Sequence, residues 1–228
     1  MAKKQAIEFA DKAPAPRAGE TKFGGQPDWI AQPQWPLSRS SGKPMRFICQ
    51  IRLDKTVFPQ ARGEMAYVFM TDDDHYVDDT WEPDGGENCV VVQPGGTAPG
   101  VKTAGHATGP TLQPHARAEG DARGAAEGRE FGMTMALREE PDFVPEAVWT
   151  DWDEDTFERY AEALDGNKIG GSPIFIQGDE FPEGEGWRLL LQLDSMQVPF
   201  NVNFGDAGIG YAFINEEGTA GKLLWQCH

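Results

Sequence analysis

The sequence predicts a strand-rich α+β protein with two similar halves and few helices, folded as one domain. Two observations lead to this prediction. Four short blocks of sequence occur twice in the same order, and most of them are apolar runs of strand length bounded by turn-forming residues. Only one segment shows the clear apolar spacing of an amphipathic helix.

The repeated blocks define the two halves. The first block has the form K-x-G-G-x-P, which is typical of a turn, and three apolar blocks follow each copy of it. The blocks are 22–30, 45–51, 67–70 and 90–93 in the first copy and 168–176, 187–193, 211–214 and 223–226 in the second. Because chance similarity rarely keeps its order over four blocks, we interpret 22–93 and 168–228 as two halves related by an internal duplication.

The second block of each copy is predicted to be a central strand, because both of its faces are apolar. Strict alternation groups its apolar residues on one face as follows: Phe47, Cys49, Ile51 and Leu53 in the first copy, and Leu189, Leu191 and Leu193 in the second.

Gln50 and Gln192 occupy equivalent places in these two strands. Buried amides of this kind usually satisfy neighbouring backbone groups. The alternative is a polar pair between the halves that faces a ligand pocket at their junction.

Three further segments complete the chain. Residues 1–21 are predicted to be an extended N-terminal segment, and 94–130, rich in Gly, Pro and Ala, a surface excursion without a core of its own. Residues 131–167 should hold a strand and the amphipathic helix. Asp151 and Asp153 are candidate N-caps, and Gly166 follows the last apolar position, where helices often end.

Composition excludes several classes of function. The 228 residues include 20 Lys and Arg and 37 Asp and Glu, so the formal net charge is −17. This excess of acid argues against binding to nucleic acid or to anionic membranes, because both need a surplus of Lys and Arg. No apolar stretch suits a signal peptide or a membrane helix, and the three cysteines form no C-x-x-C pair. We therefore expect a cytoplasmic protein without a metal or a cofactor.

The ordered blocks resemble those of the YwqG-like family of bacterial proteins, a domain of unknown function. The resemblance runs from about residue 22 to the end and implies a duplicated unit built mainly of strands. The G-G-x-P and F-x-x-Q elements are also distantly similar to those of eukaryotic chaperones that escort a ribosomal protein. Those chaperones carry C-x-x-C pairs that are absent from this sequence. The resemblance therefore implies neither a metal site nor a client, and it implies no catalytic residues.

The acidic charge is concentrated in two runs, 72–87 and 139–165, with net charges of −8 and −10. Three interpretations are open: solvated surface that aids solubility, a recognition face for a protein with a basic surface, and an irregular divalent-cation site. The second interpretation predicts that the two runs lie close together. The candidate partner-binding residues are Asp72, Asp73, Asp74, Asp78, Asp79, Asp151, Asp153, Glu154 and Asp155.

Motifs of common enzyme classes are absent: the sequence has no G-x-S-x-G, no P-loop, no H-E-x-x-H and no G-x-G-x-x-G after a strand. Their absence argues against an enzyme. We expect a non-catalytic acidic protein that binds another protein, either as a chaperone-like escort or as an antagonist of a toxin. The alternative is an enzyme or a small-molecule binder that uses a cleft between the halves.

Overall fold

The computed structural model describes residues 1–10, 13, 16–71, 79–97, 100–115 and 128–228. The strands are β1 Ala2–Phe9, β2 Lys22–Gly24, β3 Trp35–Leu37, β4 Arg46–Arg52, β5 Met65–Met70, β6 Asn88–Gln93, β7 Lys102–Ala104, β8 Gln113–Pro114, β9 Glu130–Phe131, β10 Met133–Glu140, β11 Lys168–Gly170, β12 Arg188–Asp194, β13 Phe200–Asn201, β14 Ile209–Ile214 and β15 Gly221–Gln226. The α-helices in these ranges are α1 Glu146–Trp149 and α2 Glu154–Leu164, and Ser195–Gln197 forms a 3-10 helix. The prediction of a strand-rich fold with few helices is confirmed.

Eleven of the strands form one sheet in the order β10-β1-β11-β12-β14-β15-β6-β5-β4-β2-β9. The two edge strands, β9 and β10, are separated in the chain by Gly132 alone. The sheet therefore curls until it nearly closes on itself. The remaining strands form two small pairs, β13 with β8 and β3 with β7.

The two sets of repeated blocks supply equivalent strands. In the first half Gln50 of β4 pairs with Lys22 on one side and with Tyr67 on the other. In the second half Gln192 of β12 pairs with Lys168 and with Tyr211. The strand order and the register around the two glutamines are therefore the same, and β15 joins the halves by pairing with β6.

The predicted alternation of side chains is wrong at the first apolar residue of each set, which is the second residue of β4 and of β12. Phe47 and Leu189 lie on the face opposite to Cys49 and Leu191, each in a separate apolar cluster. The pairing register shifts between Phe47 and Cys49 and again between Leu189 and Leu191. Such a β-bulge inserts one extra residue and reverses the facing of the side chains that precede it.

The core lies on both faces of the sheet. One face carries a large cluster shared by the two halves, which includes Ile51, Val68 and Leu191. The other face carries a separate cluster in each half, one around Trp35 and one around Phe213. The description of 94–130 as a surface excursion needs correction in its described part. Leu112 is fully buried because the Phe47 N–H donates to the Pro110 carbonyl at 2.9 Å and draws this segment onto the sheet.

Helix α2 confirms the predicted amphipathic helix. The Asp153 carboxylate accepts a hydrogen bond from the Thr156 N–H at 2.9 Å and caps the helix, so Asp151 is not the cap. Tyr160 and Leu164 are its buried residues. No helix in the described part of the chain is long and apolar enough to cross a membrane.

Candidate functional site

Gln50 and Gln192, the candidate polar pair between the halves, are both buried, and the N–H groups of each side-chain amide donate to two acceptors. The Gln50 amide donates to the Glu20 carbonyl at 2.7 Å and to the Asp28 carboxylate at 3.1 Å. The Gln192 amide donates to two carbonyls, those of Leu164 at 3.1 Å and Gly166 at 3.0 Å. No hydrogen bond among the described residues joins the two amides to each other. Their geometry is that of residues that fix local backbone.

A buried ionic cluster lies beside the second G-G-x-P turn. The Lys168 ammonium contacts both oxygens of the Glu140 carboxylate at 3.0 and 3.1 Å and donates to the Leu164 carbonyl at 2.6 Å. Lys4 contacts the same carboxylate at 2.7 Å. The side chains of Glu140 and Lys168 are each 1% exposed. Burial lowers the pKa of Lys168 to about 8 even though Glu140 favours its charged form.

The turn closes around this carboxylate. The Ser172 N–H donates to Glu140 Oε1 at 2.7 Å, and a Cβ on Gly171 would lie 1.9 Å from that same oxygen. Gly171 also has a φ of 81°, in the left-handed region. The repeated lysine of the K-x-G-G block signalled this site, but sequence reasoning placed Glu140 in a solvated acidic run and missed it.

The first half has a more open counterpart. Lys22 contacts Glu130 at 2.9 Å and Asp28 at 3.1 Å, and the Glu130 side chain is 33% exposed. Burial acts to raise the pKa of Asp28, but hydrogen bonds from Gly19, Lys22 and Gln50 outweigh burial and hold that pKa below its usual value. Each of the two turns therefore has its own lysine–carboxylate pair, and only the pair at the second turn is buried.

A cleft of about 540 Å³ lies between the halves. The first half contributes the loop 56–59, and the second half contributes the turn 170–173 together with Phe181 and 187–189. Gly170 permits the close approach of the two halves, because a Cβ there would lie 2.2 Å from a methyl carbon of Val57. The N-terminal residues 1–3 and Phe143 complete the lining.

The cleft combines aromatic walls with cationic side chains. Phe181 is 38% exposed and is held by edge-on contact with the rings of Phe143 and Phe175, at centroid distances of 5.1 and 5.2 Å. Lys3 and Arg188 are the lysine and arginine in its lining. Such a cleft can enclose an apolar body and pair with an anionic group. In the described part of the chain, no group of three or more His, Cys, Asp or Glu residues could hold a metal ion.

The predicted acidic face is described only in part. Asp72, Asp73, Asp74 and Asp78 lie outside the described residues, so the predicted approach of the two runs stays a prediction. Asp79, Asp151, Asp153, Glu154 and Asp155 are exposed. Two acids of the runs are buried instead: Glu140, and Glu87, which accepts hydrogen bonds from Thr71 and from the Ser40 N–H.

Edge strand β10 is a surface that sequence reasoning did not single out. Residues 134–139 are all exposed, and they include Met135 at 41% and Leu137 at 55%. Among the described residues β10 pairs only with β1, in a register that covers all eight of its residues. On the side away from β1, β10 pairs with none of the described strands, and its exposed apolar side chains lie beside this unpaired edge.

Comparison with known proteins places the chain in a family. No curated protein matches it. The family model described as a domain of unknown function (DUF1963) matches residues 21–222, which include both G-G-x-P turns, both central strands and strand β10. The chain therefore belongs to the DUF1963 family.

Proposed function

We propose that this protein is a non-catalytic binding protein whose edge strand β10 pairs with an extended segment of a basic partner protein. The observation that carries the proposal is the exposure of Met135 and Leu137 on an eight-residue edge strand. An edge strand offers backbone N–H and C=O groups to an added strand, and proteins usually protect such edges. Exposed apolar side chains on the edge add a surface that excludes water.

The charge beside this edge favours a basic partner. Helix α2 lies close to β10, because Lys4 of the neighbouring strand β1 donates to the Ala163 carbonyl at 3.0 Å. The Val144 N–H, just beyond β10, donates to the Tyr160 hydroxyl at 2.8 Å. Seven exposed acids lie on or beside α2, and Arg159 is the one base among residues 151–165: Asp151, Asp153, Glu154, Asp155, Glu158, Glu162 and Asp165. A partner strand flanked by Lys or Arg would complement this surface.

The proposal also covers the family of the protein, its role and its cellular compartment. We place it in the YwqG-like family as an escort or as an antagonist of a toxin, acting in the cytoplasm. Its three cysteines are all free, which is the usual state in a reducing compartment. We also infer an internal duplication, supported by the equal registers around Gln50 and Gln192.

Affinity capture from a lysate of the native host, followed by mass spectrometry, tests the proposal. A Met135→Glu/Leu137→Glu variant should lose the partner, because it removes the apolar side chains that exclude water from the edge; its added acidic charge alone would favour a basic partner. A Val148→Glu/Met196→Glu variant is the matched control, since those side chains are 50% and 72% exposed elsewhere. Capture of the same partner by both variants would contradict the proposal.

A second candidate function, small-molecule binding between the halves, is favoured by the cleft of about 540 Å³. Its volume falls in the range typical of ligand sites, roughly 300–1,000 Å³. The ligand that suits this cleft is argued in the next subsection.

A further inference from the structure

The side chains that line the cleft favour a ligand with an apolar part. The first half contributes Val57, Phe58 and Pro59 to its lining, and the second half contributes Phe181 and Trp187. Phe58 is 4% exposed, so its ring is fixed by packing. The Trp187 indole N–H donates to the Glu183 carbonyl at 3.0 Å and is not available to a ligand. These side chains therefore offer rigid apolar area to a ligand.

The cations of the cleft are weakly partnered. Arg188 approaches Glu216 only to 4.0 Å, and its hydrogen bond to Gln60 is long at 3.4 Å. The Lys3 side chain has no hydrogen bond or ion pair among the described residues, although Glu139 lies opposite it in the strand register. A guanidinium and an ammonium without strong partners are free to bind an anion, and the planar guanidinium suits a carboxylate.

We infer that this cleft binds a small carboxylic acid with an aromatic or aliphatic body, its carboxylate paired with Arg188 and Lys3 and its body held between Phe58 and Phe181. Because the chain as a whole carries −17, its overall field repels anions. Only local cations can make the cleft attractive to a carboxylate, and Arg188 and Lys3 supply them. The inference names the ligand class of the second candidate function and uses none of the edge-strand residues.

Isothermal titration of the full chain with 3-phenylpropanoate, and with the uncharged 3-phenylpropan-1-ol, tests the inference. The carboxylate should bind at least about tenfold more tightly, because one charge-assisted hydrogen-bonded pair already implies about that factor and the inferred pose has two. Arg188→Gln should remove most of this advantage and leave the affinity for the alcohol unchanged. Lys3→Gln should reduce the advantage in the same direction, which keeps the test valid if Arg188→Gln fails to fold.

Controls separate this result from general electrostatics. Arg62→Gln removes an exposed arginine paired with Glu217 outside the cleft, so it should leave both affinities unchanged. Phe181→Ala should weaken acid and alcohol alike. The inference fails if acid and alcohol bind equally, if the acid does not bind at millimolar concentration, or if Arg62→Gln acts like Arg188→Gln. It also fails if a peptide ending in phenylalanine binds and 3-phenylpropanoate does not.

Discussion

Gln50 and Gln192 make the same hydrogen bond in the two halves of the protein. Each side-chain oxygen accepts from the backbone N–H four residues after the first glycine of its turn, Asp28 at 2.7 Å and Ile174 at 3.0 Å. The carbonyls of those same residues accept from the hydroxyls of Tyr67 and Tyr211. An amide and a phenol thus hold both backbone groups of one residue, which explains why the G-G-x-P turn and the glutamine recur together.

The first prediction concerns these amides. Gln50→Met and Gln192→Met should each lower the free energy of unfolding by about 1–3 kcal/mol, because each leaves buried backbone groups without partners. The two losses should be roughly additive, since the residues share no hydrogen-bond partner. Urea unfolding measures both. A neutral effect at either site would indicate that the amide is kept for binding rather than for stability.

The second prediction compares the two lysine–carboxylate pairs. Glu140→Gln should cost about 3–5 kcal/mol, because it leaves Lys4 and Lys168 buried without a counter-charge. Glu130→Gln is the matched control at the open pair and should cost about 1 kcal/mol or less, since Asp28 still contacts Lys22. Equal costs in urea unfolding would contradict the view that burial distinguishes the two sites.

The third prediction concerns pH. Burial lowers the pKa of Lys168 from its ordinary 10.5 to about 8. Between these values the unfolded chain binds more protons at this residue, so its contribution to the free energy of unfolding rises with pH. Burial raises the pKa of the Cys49 and Cys89 thiols above 9.0 and that of Tyr67 from 10.0 to about 12. At pH values above the ordinary pKa of each group the folded chain binds more protons there, so the contribution of these groups to the free energy of unfolding falls with pH.

Stability should therefore rise from pH 8 to pH 9 and fall at higher pH. Urea unfolding at closely spaced pH values measures the profile. Lys168→Met should abolish the rise and keep the fall. A profile that falls monotonically from pH 8 in the unmodified protein would contradict the lowered pKa of Lys168.

The fourth prediction concerns the contact between the halves. Gly170→Ala places a methyl group against Val57, whereas Gly166→Ala meets nothing within 4 Å. Both glycines have positive φ, 72° and 88°, so the backbone strain of alanine is common to the two variants. The additional loss in Gly170→Ala should be about 1–3 kcal/mol and reports the packing clash alone. Thermal unfolding of the two variants measures it, and equal losses would show that the cleft wall is not tightly packed.

The sequence was sufficient to predict features that depend on neighbours in the chain. The helix could be predicted from Phe157, Tyr160 and Leu164, and the two central strands could be predicted from their apolar blocks. Features that depend on distant residues could not. The burial of Glu140 depends on Lys4, which lies far away in sequence, and Lys4 itself belongs to a segment that shows no apolar periodicity. The bulge at Phe47 is a property of the pairing between β4 and β5, so the alternation within one strand does not encode it.

The last prediction concerns the acids of α2 and the partner captured through β10. Asp153 caps the helix, so a neutralising variant should spare it: Asp151→Asn, Glu154→Gln, Asp155→Asn and Glu158→Gln. These exposed charges contribute little to stability, and folding should be nearly unchanged. Association with the basic partner should slow by about an order of magnitude at low salt, and the difference should shrink as salt shortens the Debye length to about 3 Å at 1 M.

A control variant removes the same number of exposed acids elsewhere: Glu183→Gln, Glu185→Gln, Glu216→Gln and Glu217→Gln. The association rate, measured by stopped flow or surface plasmon resonance, should change less in this control than in the α2 variant, because the four control acids belong to neither β10 nor α2. Equal slowing in both variants would assign the effect to net charge. A rate insensitive to both sets and to salt would mean that the acids of α2 serve solubility, and that β10 recognises its partner through backbone pairing and the side chains of Met135 and Leu137.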